Sequence, residues 1–441
     1  MSAPAVLDVE QIIDRNGVGR FQRRVLLICF GVLIVDGIDT TMSGYLGPAL
    51  IADWGITKAD LGPVVTSGLI GLALGSLIAG PLADHFGRQR IILLSLIFFG
   101  LLSAASALTS GVASFSTLRV LTGLGLGASM PNAATLVAEY APRARRGVMM
   151  TFMYCGFTLG AAVGGYLTSF LIASASWRLA LVAGGALPIA FAGVVFLALP
   201  ESPKFLARRG GRAGELAAVL NQIEPGCVSG GSGAARFVLA EDHTGGGAPV
   251  RALLSPRYRL GTVTVWAGFL AAFFTVYLMN SWLPILMSDV GFSLIQVATI
   301  GFLLQFGGTV GNIAIGFVMD KAGMHRTIIV STICAGGMLV AIAAAPRSVL
   351  AIGTLIFVLG IFTNSLAVAF PVLAAAFYPT AMRATGTSWA TGIARIGAIG
   401  GAAAGTVLVA LGLDYKAVFL TLLVPVAVGI LAASTNSRVR H

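Results

Sequence analysis

The chain reads as long apolar windows separated by short polar joints. Windows long enough to cross the hydrocarbon core of a bilayer as a helix, roughly 20 residues, run approximately over 25–48, 61–83, 91–110, 114–138, 150–172 and 178–199. After a polar stretch come 260–284, 295–319, 327–345, 349–373, 386–411 and 417–434. The pattern predicts six helices, a break, and six more. Irregular backbone has no hydrogen-bond partners in lipid, so each window is expected to be helical throughout, or buried by protein where it breaks.

The break over 200–259 is rich in glycine, from Gly210-Gly211 through Gly230-Gly231 to Gly245-Gly246-Gly247. It predicts a flexible linker with one short helix near Glu215–Gln222. The expected organisation is a segment 1–24, a bundle 25–199, the linker 200–259, a second bundle 260–434 and a tail 435–441. The bundles repeat each other. Gly80, Asp84, Gly87 and Arg90 after the second window recur as Gly316, Asp320, Gly323 and Arg326 after the eighth, at a constant offset of 236. Pro48 and Pro284, read as the ends of the first and seventh windows, keep that offset, and Arg146 and Arg383 are displaced by 237. The expected fold is therefore an all-α membrane protein, with twelve transmembrane helices in two pseudo-symmetric six-helix bundles. Such repeats are a transporter signature, with the substrate site between them. A duplicated structural bundle without transport is the plainer alternative.

Composition narrows the class. Of 441 residues, 57% are hydrophobic and 10% charged, against about 25% charged in an ordinary soluble domain. Soluble enzymes, disordered chains and disulfide scaffolds are excluded, because the apolar excess must face lipid. The net charge of +11 does not call for nucleic acid once its distribution is read. Of the 28 Lys and Arg, 22 fall on the side of the termini and linker, and only Lys58, Arg178, Arg347 and Lys416 on the other. The positive-inside rule then predicts cytoplasmic termini and linker in a multi-pass protein of the inner (plasma) membrane. Asp8, Glu10 and Asp14 precede the first window, a poor secretory signal, so that window is expected to stay in the mature protein. Cys29, Cys155, Cys227 and Cys334 are far apart and read as small packing residues. No window contains His, the four histidines lack metal-ligand spacing, and no G-x-S-x-G occurs. Neither an enzyme, nor a metal, nor a cofactor is expected, and a monomer is.

Four charges lie inside windows and carry the candidate chemistry. Asp36 is 12 residues beyond Arg24, roughly 18 Å at 1.5 Å per residue, near the bilayer middle. Asp36 and Asp39 are three apart and share a helix face. A carboxylate there costs at least about 2.5–3.5 kcal/mol, and burial beside a like charge favours its protonated form. The pair is therefore a candidate proton-coupling site, against the alternative of a structural cap or a salt bridge to Arg395. Arg395 stands 12 residues past Arg383, also near mid-depth. Its planar fork suits a substrate carboxylate, or Asp36 or Asp39 when the site is empty. Arg119, nearer the outer face, is a second carboxylate partner, a relay member or a packing residue. Phe273, Phe274, Tyr277, Asn280 and Trp282 line the seventh window. Of these, Tyr277 and Trp282 are candidates to stack on a flat ring, although such aromatics also serve as interface anchors.

The segment from Gly80-Pro-Leu-Ala-Asp84 to Gly87-Arg88-Gln-Arg90 resembles the loop 2–3 motif of the major facilitator superfamily. Arg119-Val-Leu-Thr-Gly123-Leu-Gly125-Leu-Gly127 resembles its helix 4 motif, and Pro200-Glu201-Ser202-Pro203 its post-helix 6 motif. Gln89 departs from the family, which usually has a base there. Asp36-Gly37-Ile38-Asp39 is similar to the D-G-x-D signature of the aromatic acid:proton symporters. The stretch to Met130-Pro131-Asn132, Ser281-Trp282-Leu283-Pro284, and Tyr378-Pro379 leading to Arg383 and Arg395 are similar as well. The resemblance implies import of a small aromatic carboxylate, such as benzoate, a hydroxybenzoate or protocatechuate, with protons. It also implies gating by Asp84, Arg88, Glu139, Arg143, Asp320, His325 and Arg383 at the cytoplasmic helix ends, against a solvated charge cluster as the plainer reading. A drug:proton antiporter is the nearest rival, but Gly160-Ala161-Ala162-Val163-Gly164-Gly165 lacks the proline of the antiporter signature. An importer of another small organic acid or of a sugar is the remaining alternative.

Overall fold

The computed structural model describes residues 5–15, 17–209, 212–227, 235–238 and 250–438. The glycine clusters of the linker, His243 and His441 lie outside the described residues. Among the described residues, twelve helical segments are long and apolar enough to span a bilayer. A short strand β1 (Ala5–Asp8) and helix α1 (Val9–Arg15) come first. The first six spans are α2 (Arg20–Trp54), α3 (Leu61–Phe86), α4 (Arg88–Ala105), α5 (Val112–Tyr140), α6 (Arg146–Ser174) and α7 (Trp177–Ala198). Between the halves lie α8 (Pro203–Arg208), α9 (Ala213–Ile223), β2 (Ala235–Val238) and α10 (Val250–Leu253). The second set is α11 (Arg259–Asp289), α12 (Leu294–Ala322), α13 (Met324–Ala344), α14 (Val349–Phe377), α15 (Thr380–Ala410) and a broken last span, α16 (Tyr415–Thr421) with α17 (Leu423–Asn436).

The windows were placed well, with two corrections. Pro48 and Pro284 do not end their helices: α2 continues to Trp54 and α11 to Asp289. A proline removes one donor, and neighbouring helices in a membrane bundle compensate for the freed carbonyl. The linker and the first segment carry more structure than a flexible chain. Helix α9 covers the expected Glu215–Gln222 and buries Leu216, Val219 and Leu220, while β1 pairs in parallel with β2. Helix α1 buries Val9, Ile12 and Ile13 on the ends of the first bundle.

Within each half, glycines let helix backbones touch. A Cβ on Gly37 would overlap the Phe157 carbonyl, and one on Gly160 the Ile34 carbonyl, so α2 and α6 cross without side chains between them. Gly71 and Gly123 do the same for α3 against α5. The second half repeats both crossings: Gly397 and Gly401 set α15 against α11, and Gly311 and Gly360 set α12 against α14. Small residues at crossings replace the hydrophobic drive that lipid does not supply.

The termini share one face, here the terminal face, since Glu10 of α1 binds Arg143 and Lys204 at span ends of the first half. One apolar core near the opposite, far face is continuous across both halves and includes Leu46, Leu50, Leu278, Trp282 and Leu304. Toward the terminal face each half has its own separate core. Thr158 and Thr309 bond at mid-depth (2.7 Å), and Tyr166 bonds Thr299 (2.7 Å) farther out. Lys58 pairs with Asp289 (2.7 Å) at the far face. Among the described residues, the halves thus join from mid-depth to the far face and part toward the terminal face.

Candidate functional site

A small cleft of about 40 Å³ lies where α2, α3, α5, α6 and α11 meet, lined by Asp39, Thr40, Arg119, Phe157, Tyr277 and Asn280 among others. Gly37 is the local cause: crossing α6 at that glycine turns Asp36 and Asp39 toward α4 and α5. Asp39 and Arg119 are almost completely buried and form an ion pair, Nη1 to Oδ2, at 3.0 Å. Ser103 of α4 completes a triangle, donating to Asp39 Oδ1 (2.6 Å) and accepting from Arg119 Nη2 (3.1 Å). The Arg119 guanidinium also lies 5.5 Å from the centre of the Phe115 ring. Its buried Nε has no hydrogen-bond partner among the described residues. Arg119 is therefore the partner of Asp39, a pairing the sequence had suggested for Arg395 instead.

Asp36 accepts from Ser129 at Oδ2 (2.8 Å), while its buried Oδ1 has no hydrogen-bond partner among the described residues. Arg395, half-buried on α15, attracts Asp36 electrostatically from the other half and also acts on Tyr154 of α6. It makes no ion pair or hydrogen bond among the described residues. Tyr277 lines the cleft and stacks on Phe273, with centroids 6.2 Å apart. Trp282 does not line it. Its indole is fully buried, donates to the Ala402 carbonyl (2.8 Å) and fills the space left by Gly405, so it fastens α11 to α15. An anchored tryptophan with a satisfied N–H is what a bundle core accommodates.

At the terminal face the structure assembles part of the expected charge cluster. Arg88 pairs with Asp84 (2.7 Å) and lies 3.6 Å from Glu139. Ser202 donates to Glu139, and Glu201 Oε1 accepts from the backbone N–H groups of Arg88 (2.8 Å), Gln89 (3.2 Å) and Ser202 (2.8 Å). A carboxylate is favoured at such a helix start. Arg143 stands apart, bonded to Glu10 (2.6 Å) and Asp14 (3.4 Å) of α1. The Lys204 hydrogen bond first, and the Arg143 guanidinium with it, hold the Glu10 carboxyl below the usual carboxylate range.

The second half does not repeat this cluster. Asp320 is exposed and has no ion pair among the described residues. His325 bonds Asn436 (2.9 Å), and Arg383 is exposed, reaching the Tyr378 carbonyl at 3.5 Å. The repeat offset explains the difference: Met324 stands where the first half has Arg88, and alanine occupies both Ala375 and Ala376, the candidates for Glu139's place. Sequence reasoning missed Ser103, Ser129, Gln305 and the capping role of Glu201. Serines are common in membrane helices and gave no signal, whereas Glu201 was visible within its motif.

Residues 28–353 match the sequence pattern of the Major Facilitator Superfamily. The chain is 41% identical to the 4-hydroxybenzoate transporter PcaK of Pseudomonas aeruginosa, over 100% of this chain and 98% of that one. It is 39% identical to the gallate transporter of Pseudomonas putida, over 99% of this chain and 96% of that one. Among solved structures, an inward-facing, unoccupied bacterial homolog of the human lysosomal transporter Spinster shares the fold, with a TM-score of 0.70 at 18% identity, over 96% of this chain and 99% of that one. With twelve spans in two repeated halves and relatives matched end to end, this chain belongs to the Major Facilitator Superfamily.

Proposed function

We propose that this protein imports a small aromatic carboxylic acid, of the benzoate, hydroxybenzoate or protocatechuate type, together with protons by alternating access. The observation that carries this reading is the buried Asp39–Arg119 pair lining the cleft. While Asp39 is ionised, the Arg119 fork is engaged. A proton on Asp39 cancels its charge and frees the guanidinium for the substrate carboxylate, which it can hold bidentately. A buried cation without a counter-charge is costly, so proton and carboxylate favour each other's arrival. Asp36 on α2 and Arg395 on α15 of the facing half offer a second proton and anion station. Tyr277 supplies a ring face.

The basic terminal face is the cytoplasmic one, in the inner (plasma) membrane, by the positive-inside rule. The far-face closure then corresponds to an inward-facing state of a monomeric carrier. Asp84, Arg88 and Glu139 gate the first half, with Arg143 anchoring α1 beside them. Asp320, His325 and Arg383, not joined to one another among the described residues, belong to the opposite state.

Uptake of labelled aromatic acids into proteoliposomes, with and without an imposed pH gradient, tests this. Accumulation is expected only with an acidic exterior and is expected to collapse with an uncoupler. Asp39→Asn should abolish accumulation while leaving substrate exchange measurable. Uptake indifferent to the gradient would overturn the coupling, and a wild-type protein moving no aromatic acid would overturn the substrate class.

A further inference from the structure

Helix α11 faces the cleft with Tyr277, Asn280 and Ser281. The Asn280 amide is held from behind: its Oδ1 accepts from Nε2 of the buried Gln305 on α12, at 3.0 Å. Asn280 Nδ2 has no hydrogen bond among the described residues and is not sealed from the cleft. Gly44 of α2 presses on the same turn, since a Cβ there would lie 3.0 Å from the Ser281 carbonyl and 3.1 Å from that of Asn280. Gly44 is five residues beyond Asp39, about 7.5 Å along the helix. Asn280 and the Asp39–Arg119 pair line the same cleft, with Gly44 between them along α2.

We propose that Asn280 reads a hydroxyl group on the substrate's ring, and that Gln305 is its positioning residue. This rests on the reading of the cleft as an aromatic carboxylate site. With the carboxylate at Arg119 and the ring along Tyr277, the far end of the ring arrives at Asn280. A phenol both donates and accepts, so it can bond whichever amide atom Gln305 leaves free. An unhydroxylated ring leaves that amide desolvated and unpaired, which is how a polar site rejects an apolar analogue. The repeat supports a dedicated role. At the 236-residue offset, the first half carries Gly44 in place of Asn280 and Leu69 in place of Gln305. The amide pair is absent from the other repeat, so the common scaffold does not require it.

The test is initial-rate uptake of 4-hydroxybenzoate and of benzoate into proteoliposomes by wild type, Asn280→Leu, Asn280→Ala and Gln305→Met. Wild type should prefer the hydroxylated acid. In Asn280→Leu the ratio of the two kcat/KM values should fall by about 10-fold, through the hydroxylated substrate, with benzoate uptake within about 3-fold of wild type. Gln305→Met should shift the ratio in the same direction by a smaller factor, which a purely structural defect would not do, because it would slow both substrates alike. If Asn280→Leu does not reach the membrane, Asn280→Ala must give the same selective loss. An unchanged ratio in an actively transporting Asn280 variant overturns the proposal and leaves the substrate class standing. Failure of wild type to take up either acid overturns both.

Discussion

At the scale of single residues, three groups share the work that two charges announce. Asp39 and Arg119 stood out as charges inside apolar windows, and their depth followed from helical rise alone. Their pairing did not, because 80 residues separate them and window order does not say which helices touch. Ser103 was invisible for a different reason: its role comes only from being within reach of both partners. Ser103→Ala should leave Asp39 Oδ1 and Arg119 Nη2 each short of a bond, costing about 1–3 kcal/mol. The expected outcome is a lower melting temperature in detergent together with slower gradient-driven uptake. Trp282→Phe removes the bond to the Ala402 carbonyl, worth about 1 kcal/mol, and leaves a void where the indole fills the space at Gly405, which adds to the loss. It should lower the melting temperature and leave KM for the substrate unchanged, and a raised KM would return Trp282 to the substrate site.

Between helices, the same loop is built twice and wired differently. Gly87 and Gly323 occupy equivalent positions and both adopt positive φ, 102° and 85°. A Cβ on Gly87 would also overlap the Glu201 carboxylate, whereas one on Gly323 would meet nothing within 4 Å. Alanine at Gly323 should therefore cost only backbone strain, about 1–3 kcal/mol. At Gly87 it should additionally displace Glu201 from the start of α4 and cost about 2–3 kcal/mol or more. Thermal unfolding of the two variants side by side checks this, and equal losses would contradict the capping role of Glu201. The repeated glycine, aspartate and arginine made the loops recognisable from the sequence. Their unequal bonding was legible too, in Met324 opposite Arg88 and alanine opposite Glu139, but only when the positions between the matching landmarks are compared. The order of α1 and of the β1–β2 pair was not legible, because four-residue strands and two-turn helices draw their stability from the surface they dock on.

For the molecule as a whole, twelve spans and a duplicated plan follow from hydrophobic length and one repeat offset, which is why the architecture was the most readable level. The state of the carrier was not readable, since both faces of an alternating-access protein use the same residues. It emerges from where the halves touch. That contact depends on vacancies: a Cβ on Gly301 would overlap the Tyr45 hydroxyl, one on Gly62 would crowd Thr406, and Gly47 lies against Ile285. An added methyl at any of these seats acts as a shim between the two rigid blocks. Gly301→Ala should hold the far side ajar, visible as faster thiol labelling of a cysteine placed beside Tyr45 and as slower net uptake. The carrier's resting tilt therefore rests on hydrogen atoms where other residues bear carbon, and one methyl group is expected to reset it.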